Sequence, residues 1–243
     1  MTPLRLYTLP ASHPCATVEA ALQLKGIPYR RTDFLPLAQL VAGPIIYGGF
    51  TVPGARVDGE RMHGSRAILR KLDQLEPEPP LLPEDEGERA RVLDAERWGD
   101  EVFQDVPRRL LDAAFLRDPQ AMGGYAEGAK LPLSVERMRP LMGLTARGMA
   151  WRNHATDERA REDVRGLPAQ LDRIDGWIGE GLLGGERPNA ADLQIGSSIR
   201  LLTTLGDVRA LIEGRPAAAL SRYFPPQPGE VGAGTLPAEW LAR

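Results

Sequence analysis

Ser12 and Cys15 are the residues best placed to do chemistry near the start of this chain. They lie in Leu4-Arg5-Leu6-Tyr7-Thr8-Leu9-Pro10-Ala11-Ser12-His13-Pro14-Cys15, where a short apolar strand meets a turn and a helix opens at once. Ser12 stands at the helix entrance, and Cys15 lies one turn inside. Free backbone N–H groups and the positive end of the helix dipole favour an anion, such as a thiolate, at such an entrance. With the hydroxyl first and the thiol third after it, the arrangement suits holding another molecule's thiolate better than supplying one. A hydrogen bond to a charged group is worth about 1.5–3 kcal/mol. At about 1.36 kcal/mol per unit, that lowers a thiol pKa by roughly one to two units. A thiol starting at about 8.5 is then largely ionised at neutral pH. The plainer alternative is that Ser12 only caps the helix, Ser being a preferred N-cap. Cys15 shares an apolar face with Val18 and Leu22 and reads as a small buried hydrophobe.

Two other places could hold part of a ligand. In Thr51-Val52-Pro53 the proline starts a strand and cannot donate to a sheet. A cis Val52–Pro53 peptide would leave the Val52 N–H and C=O free to pair with an extended peptide ligand, as in strand addition. An ordinary trans edge proline is the alternative, since only about 5–6% of X–Pro bonds are cis. Gly64-Ser65-Arg66-Ala67-Ile68 opens a second helix, where Ser65 is either a cap or part of an anion site for a carboxylate. His13 and His63 lie near these stretches, and either could assist an anionic ligand or be polar surface. His154 ends a polar helix and reads as surface. Three scattered histidines and one cysteine do not make a metal site.

The elements that must position these residues change character along the chain. Leu4–Leu9 reads as a strand, Pro14–Lys25 as a helix stopped by Gly26, and Tyr29–Phe34 as a second strand. A right-handed crossover with parallel pairing follows from that order. Residues 35–50 have no period and read as loop, with room for one short helix. Val52–Val57, the turn Asp58-Gly59 and Glu60–Met62 read as a hairpin, and Ser65–Leu75 as a helix. Pro77, Pro79, Pro80 and Pro83 then make the stretch 77–87 a stiff linker. Beyond it the pattern is helical: Glu88–Leu116, Leu133–His154, Asp157–Glu180, Ala190–Leu205, Asp207–Ile212 and a short helix near Pro216–Tyr223. Residues 117–132 read as loop. The fold class is therefore an α/β first domain, residues 1–76, followed by an all-helical domain, residues 88–224. A Pro- and Gly-rich tail, 225–243, ends in apolar Leu236, Trp240 and Leu241.

Bulk composition narrows the function classes. The chain has 243 residues, 42% hydrophobic and 26% charged, as an ordinary soluble globular protein does. A net charge of -3 gives no footprint for nucleic acid or anionic membrane. Residues 1–76 carry 9 basic and 6 acidic side chains and the remainder 21 and 27, which mildly favours an anion in the first third. One cysteine excludes an internal disulfide and suits a reducing cytoplasm. No apolar run reaches membrane-spanning length, and the N-terminus lacks a signal-peptide pattern.

Taken together, these stretches resemble the glutathione transferases, whose first domain is thioredoxin-like and whose second is all-helical. The likeness runs through Leu6-Tyr7-Thr8-Leu9, Ser12-His13-Pro14-Cys15, Leu24-Lys25-Gly26-Ile27-Pro28-Tyr29, Val52-Pro53, Asp58-Gly59 and Ser65-Arg66-Ala67-Ile68. It continues into Arg187-Pro188-Asn189-Ala190-Ala191-Asp192-Leu193, which looks like the family's capping box: Asn189 can accept from the Asp192 N–H while the Asp192 carboxylate reaches back. The Ser12-x-Pro14-Cys15 spacing looks closest to the serine-type, theta-like members. The resemblance implies glutathione as cosubstrate, with no metal, and attack of its thiolate on an electrophilic small molecule. It implies Ser12 as the thiol-activating hydroxyl, Val52 as partner of the cysteinyl backbone, Pro53 as the cis-proline and Ser65 as holder of the γ-glutamyl carboxylate. It also implies a homodimer. Gly64 departs from the family's Glu, Gln or Asp and removes a partner for the ligand's ammonium group. No lysine in 35–50 serves the glycyl carboxylate, which leaves Arg56 or Arg66 to compensate. The rival readings are a non-catalytic binding or scaffold module on the same fold, which Gly64 favours, and a transferase using another small thiol. A disulfide reductase is disfavoured by Ser12 at the first thiol place. Trp98, Phe103, Phe115, Tyr125, Met138, Met142, Met149 and Trp151 read as core, some of them lining the electrophile pocket between the domains. Trp240 is expected to anchor the tail or to close that pocket.

Overall fold

β1 (Leu4–Thr8) leaves only Arg5 exposed, and a strand buried on both faces has to lie inside its sheet. The sheet order is β2-β1-β3-β4. After β1 the chain crosses through α1 (His13–Leu24) and returns as β2 (Tyr29–Asp33), parallel to β1 from Leu4 opposite Tyr29 to Thr8 opposite Asp33. β3 (Gly54–Val57) lies antiparallel on the other side of β1, with Tyr7 opposite Gly54. β4 (Glu60–His63) turns back over Asp58-Gly59, and α3 (Ser65–Leu75) packs beside α1. The computed structural model describes residues 4–241. Residues 1–3 and 242–243, at the outer ends of the first domain and the tail, lie outside it.

Two details of this domain differ from the sequence pattern. The strand expected from Val52 begins at Gly54, because Pro53 has no N–H to give a ladder. Within 35–50 a real helix forms, α2 (Gln39–Ile46). Its Val41 and Ile45 are exposed, so it shows no apolar stripe from which a period could be read.

The 77–87 segment is docked rather than free. Lys25 is buried, and its Nζ donates to the Glu76 and Pro79 carbonyls at 2.7 and 2.8 Å and pairs with Asp73 at 2.8 Å. Beyond it, the helix expected over Glu88–Leu116 is two helices, α4 (Glu86–Trp98) and α5 (Asp105–Arg117), joined by a π-turn over Gly99–Phe103. Pro107, in the first turn of α5, has no N–H for the Phe103 carbonyl, so the regular ladder cannot run through. The expected loop 117–132 holds the single turn α6 (Met122–Tyr125). The helix expected over Leu133–His154 is α7 (Val135–Met138), a 3₁₀ turn containing Pro140, and α8 (Met142–Arg152). α9 (Asp157–Gly179), α10 (Ala190–Leu202), α11 (Gly206–Ile212) and the terminal α12 (Ala238–Leu241) complete the set. None of the helices is long and apolar enough to cross a membrane, among the described residues.

α10 is the element around which the rest is assembled. All but one of its residues are buried, and it packs on α1, α4 and the 3₁₀ turn Pro216–Tyr223. Both bonds of its capping box form: the Asn189 side chain accepts from Asp192 N–H at 3.0 Å, and Asp192 Oδ2 accepts from Asn189 N–H at 3.0 Å. α10 also reaches the first turns of two helices of the first domain, α1 and α3. Thr17 Oγ1 of α1 lies 2.9 Å from Ser197 Oγ and 3.1 Å from the Leu193 carbonyl. Ser65 Oγ of α3 donates to Gln194 Oε1 at 2.9 Å.

The tail is packed against the helical body. Val231 N–H donates to the Thr204 carbonyl, and the Val231 carbonyl accepts from Gly206 N–H, both at 2.9 Å. Asp207 accepts from the N–H groups of Gly234, Thr235 and Leu236. Val231, Leu236 and Trp240 are buried, and the Arg117 guanidinium lies over the Trp240 ring, 4.8 Å from its centroid.

Candidate active site

A cleft of about 160 Å³ opens between the two domains, and Ser12 lines it. The first domain contributes Leu9–Pro14, Pro36, Leu37, Gln39 and Phe50–Val52; the helical domain contributes Arg108, Leu111, Asp112, Met149, Arg152, Asn153 and Leu201.

Ser12 is the N-cap residue of α1, yet its side chain makes no cap hydrogen bond. The reason lies in the next three residues. Pro14 has no N–H, and the Cys15 N–H bonds back to the Ser12 carbonyl at 3.1 Å. The donors left for an anion at this entrance are the Ser12 hydroxyl and the His13 N–H, so the hydroxyl carries more of the task than an ordinary helix start would ask of it. Ala11, just before, sits at φ 61, and Leu37 across the cleft at φ 72. Two non-glycine residues in the left-handed region, each costing on the order of 1–3 kcal/mol, border the same cleft. Leu37 is held there against α8: a Cβ added to Gly148 would lie 2.7 Å from its Cδ1.

Cys15 is 2% exposed, and burial, opposed only weakly by the neighbouring Ser12 hydroxyl, pushes its thiol up to about 12. It is packing, not nucleophile. Native protein treated with iodoacetamide at neutral pH should therefore remain unmodified while unfolded protein is labelled at once; rapid labelling of the native form would contradict this. His13 also lines the cleft, but its ring is buried, with Nε2 3.1 Å from the Gln104 carbonyl. Burial, then the charge of Arg108, holds its pKa well below the usual 6.5, so it meets a ligand as a neutral ring.

Val52 lines the cleft next to Ser12's loop, and the Val52–Pro53 peptide is cis. Neither the Val52 N–H nor its C=O joins a backbone hydrogen bond among the described residues. The Pro53 carbonyl accepts from Gly64 N–H at 3.0 Å, which brings the start of α3 alongside. Gly64 has φ 88 and open space around the position of a Cβ, so glycine suits the backbone there even though a side chain would fit. The remaining residues picked from sequence are turned elsewhere. The Ser65 hydroxyl is buried and given to Gln194. Arg66 pairs with Glu96 at 3.7 Å and Glu101 at 3.4 Å, and Arg56 is exposed on β3 between Arg5 and Arg61. None of the three lines the cleft. His63 is exposed, with Nε2 2.6 Å from Thr51 Oγ1, and its ring stacks on Tyr47.

The aromatic and methionine residues divide. Phe115, Tyr125, Met138, Met142 and Met149 line a second, mostly apolar cavity of about 220 Å³ that shares Pro10, Ala11, Pro36 and Met149 with the cleft. Trp98 stacks on Phe103 and meets Trp177 edge-on, in the helical core. Trp151 is neither core nor lining: it is 79% exposed on α8. Trp240 lines neither cavity, so the tail anchors and does not close the site.

Sequence reasoning passed over Arg108, Asp112, Arg152 and Asn153. Arg108 and Asp112 are four apart on α5, and a polar pair at that spacing within an otherwise apolar face was the available signal. Asp112 is 1% exposed, its Oδ2 accepts from Asn153 Nδ2 at 2.7 Å, and burial raises its pKa to about 6. Because the folded pKa lies above the unfolded one, about 3.9, stability falls as pH rises through that window. Asp112→Asn keeps an acceptor for Asn153 and removes the ionisation. Its melting temperature should change less than the wild type's between about pH 4 and about pH 7, and it should exceed the wild type's at the upper end. Identical pH dependence would refute the assignment. No group of three or more His, Cys, Asp or Glu is placed to hold a metal ion among the described residues.

Residues 6–80 match the family model described as "Glutathione S-transferase, N-terminal domain". The chain has the glutathione transferase fold. A glutathione S-transferase from Rhodospirillum rubrum F11 superposes with a TM-score of 0.60 at 19% identity, covering 98% of each chain. FzlA from C. crescentus does so with 0.57 at 19% identity, over 91% of this chain and 86% of its own. A maleylacetoacetate isomerase from Anaeromyxobacter dehalogenans 2CP-1, solved with GSH in its active site, gives 0.53 at 23% identity over 91% and 89%. At such identities the likeness is one of fold. No curated protein sequence matches the chain. The fold places a mixed four-stranded sheet with its helices first and a helical region after it, with the cleft between them.

Proposed function

We propose that this chain is a glutathione-dependent transferase of the serine type, theta-like, in two domains divided by the 77–87 segment. A glutathione thiolate held by Ser12 attacks an electrophilic small molecule. The observation that carries the reading is the Ser12 hydroxyl: it lines the interdomain cleft, heads α1 and makes no capping bond of its own. The free Val52 N–H and C=O beside it suit an extended peptide-like thiol. The first N–H groups of α3, which have no intrahelical acceptor, suit its γ-glutamyl carboxylate, with Ser65 contributing its backbone rather than its hydroxyl. The apolar cavity next to the cleft suits the carbon skeleton of the second substrate. The enzyme then contributes thiolate stabilisation and positioning. The isomerase among the similar folds binds GSH in its active site, which supports the same cosubstrate here. The family resemblance supports a cytoplasmic homodimer.

A second reading is a non-catalytic binding module on the same fold. It is favoured by Gly64, which offers no side chain to an ammonium group, and by the engagement of Ser65 and Arg66 within the protein. Calorimetric titration with glutathione and other small thiols separates the two. Heat from glutathione, followed by turnover of a reactive electrophile, supports the transferase. No heat from any thiol at millimolar concentration would leave the module.

A further inference from the structure

The helical wall of the cleft carries charge that thiol activation does not use. Arg108 and Asp112 lie one turn apart on α5, and Arg152 with Asn153 ends α8 beside them. Arg108 is occupied by Asp105, Nη1 to Oδ1, at 2.7 Å. Asp112 receives one hydrogen bond, from Asn153. Arg152 is half-buried and takes part in no ion pair or side-chain hydrogen bond among the described residues. A guanidinium in a half-enclosed site, next to apolar Leu111 and Met149, has its planar fork open to a carboxylate, and its field is screened less there than on the surface.

We propose that this wall is a subsite for a carboxylate on the second substrate: Arg152 takes the carboxylate, Arg108 adds to the attraction, and Asp112 admits the anion when it is itself protonated. The electrophile of this enzyme is then a small unsaturated acid rather than a neutral aromatic compound. The inference rests on the glutathione reading for the reaction, but the carboxylate subsite can be tested without it. The charge that acts on Asp112 is that of Arg108 from α5, while Arg152 from α8 and His13 from the start of α1, which is neutral, line the same cleft. An ionised Asp112 repels a carboxylate, and a protonated one can donate to it. Anion affinity therefore rises as pH falls through about 6.

The test uses two matched pairs with the whole protein. Monomethyl and dimethyl succinate, which do not react with thiols, are titrated calorimetrically at about pH 5 and about pH 8, on either side of the Asp112 titration. Monomethyl and dimethyl fumarate are then assayed with glutathione, each corrected for its uncatalysed rate. The monoester of succinate should bind more tightly than the diester and more tightly at the lower pH. Arg152→Met should reduce that preference about tenfold or more, the loss of one charge-assisted bond. Asp112→Asn should abolish the pH dependence, and kcat/KM for monomethyl fumarate relative to dimethyl fumarate should fall in Arg152→Met by a similar factor. Equal binding of the two succinates by the wild type, or equal losses for both fumarates in Arg152→Met, would overturn the subsite. If neither fumarate is turned over, the glutathione reading fails; the succinate titration then decides the subsite alone, preference lost in Arg152→Met supporting it and no preference overturning it.

Discussion

Ser12→Ala should lower glutathione turnover well over tenfold and leave the fold intact. The hydroxyl and the His13 N–H are the donors left at the α1 entrance, because Pro14 has none and Cys15 spends its own on the Ser12 carbonyl. Removing a charge-assisted bond of about 1.5–3 kcal/mol raises the pKa of the bound thiol by roughly one to two units. At neutral pH the ionised fraction falls in proportion, and the pH–rate profile shifts upward by the same amount. Cys15 cannot stand in, since its thiol is buried and ionises only at about 12. An N-cap serine replaced by alanine ordinarily costs about 0.5–2 kcal/mol. Here the side chain makes no cap bond, so the melting temperature should hardly move. Steady-state kinetics over pH, together with a thermal melt, check both halves. Unchanged turnover would make Ser12 a mere helix start, and a collapse in melting temperature would make it a structural residue.

Truncation after Tyr223 should prevent stable folding. It removes Phe224, Val231, Leu236 and Trp240, all buried. At about 1.5–3 kcal/mol for each buried apolar side chain, the loss reaches roughly 6–12 kcal/mol. That is comparable with the whole stability of a typical domain, about 5–15 kcal/mol. It also strips Asp207 of three N–H partners and breaks the Val231 bridge to Thr204 and Gly206. The milder variant Trp240→Ala should cost about 3–5 kcal/mol and is readable by urea unfolding of a protein that still folds. Since the tail lines neither cavity, the kinetics of Trp240→Ala at low temperature should match the wild type's. A truncated chain that is folded, or activity raised by Trp240→Ala, would mean that the tail covers the site after all.

Most of the fold was legible because its periods are plain. β1, α1 and β2 follow from an apolar run, a stripe through Val18 and Leu22 and a glycine stop, and the Asn189–Asp192 box is a local signal satisfied locally. The misreadings share a cause. α2 exposes its apolar residues, so no stripe marks it. The breaks after Trp98 and at Arg139 come from Pro107 and Pro140 within otherwise continuous periods, where the proline decides and the period does not. At the site, Ser12, His13 and Val52 lie on short local signals and do line the cleft. Arg66 and Ser65 do not, because their partners Glu96, Glu101 and Gln194 come from distant segments that no local pattern anticipates. For Arg108 and Asp112 the four-residue spacing on α5 was the one local sign, and for Arg152 there was none: nothing near them in sequence says that their helices face Ser12.

The contacts from α10 to Thr17 and Ser65 bear on how modular this chain is. The region matched by the N-terminal family model ends at residue 80, yet α1, which opens on the cleft, and α3 beside it are registered by the Leu193 carbonyl and the Ser197 and Gln194 side chains, more than a hundred positions later. Grafting the first domain onto the helical half of another relative would carry over the sheet and the Ser12 loop but not their alignment. Exchange between relatives would need Leu193, Gln194 and Ser197 to travel with it, so the heritable unit of the site is a pair of segments rather than a domain.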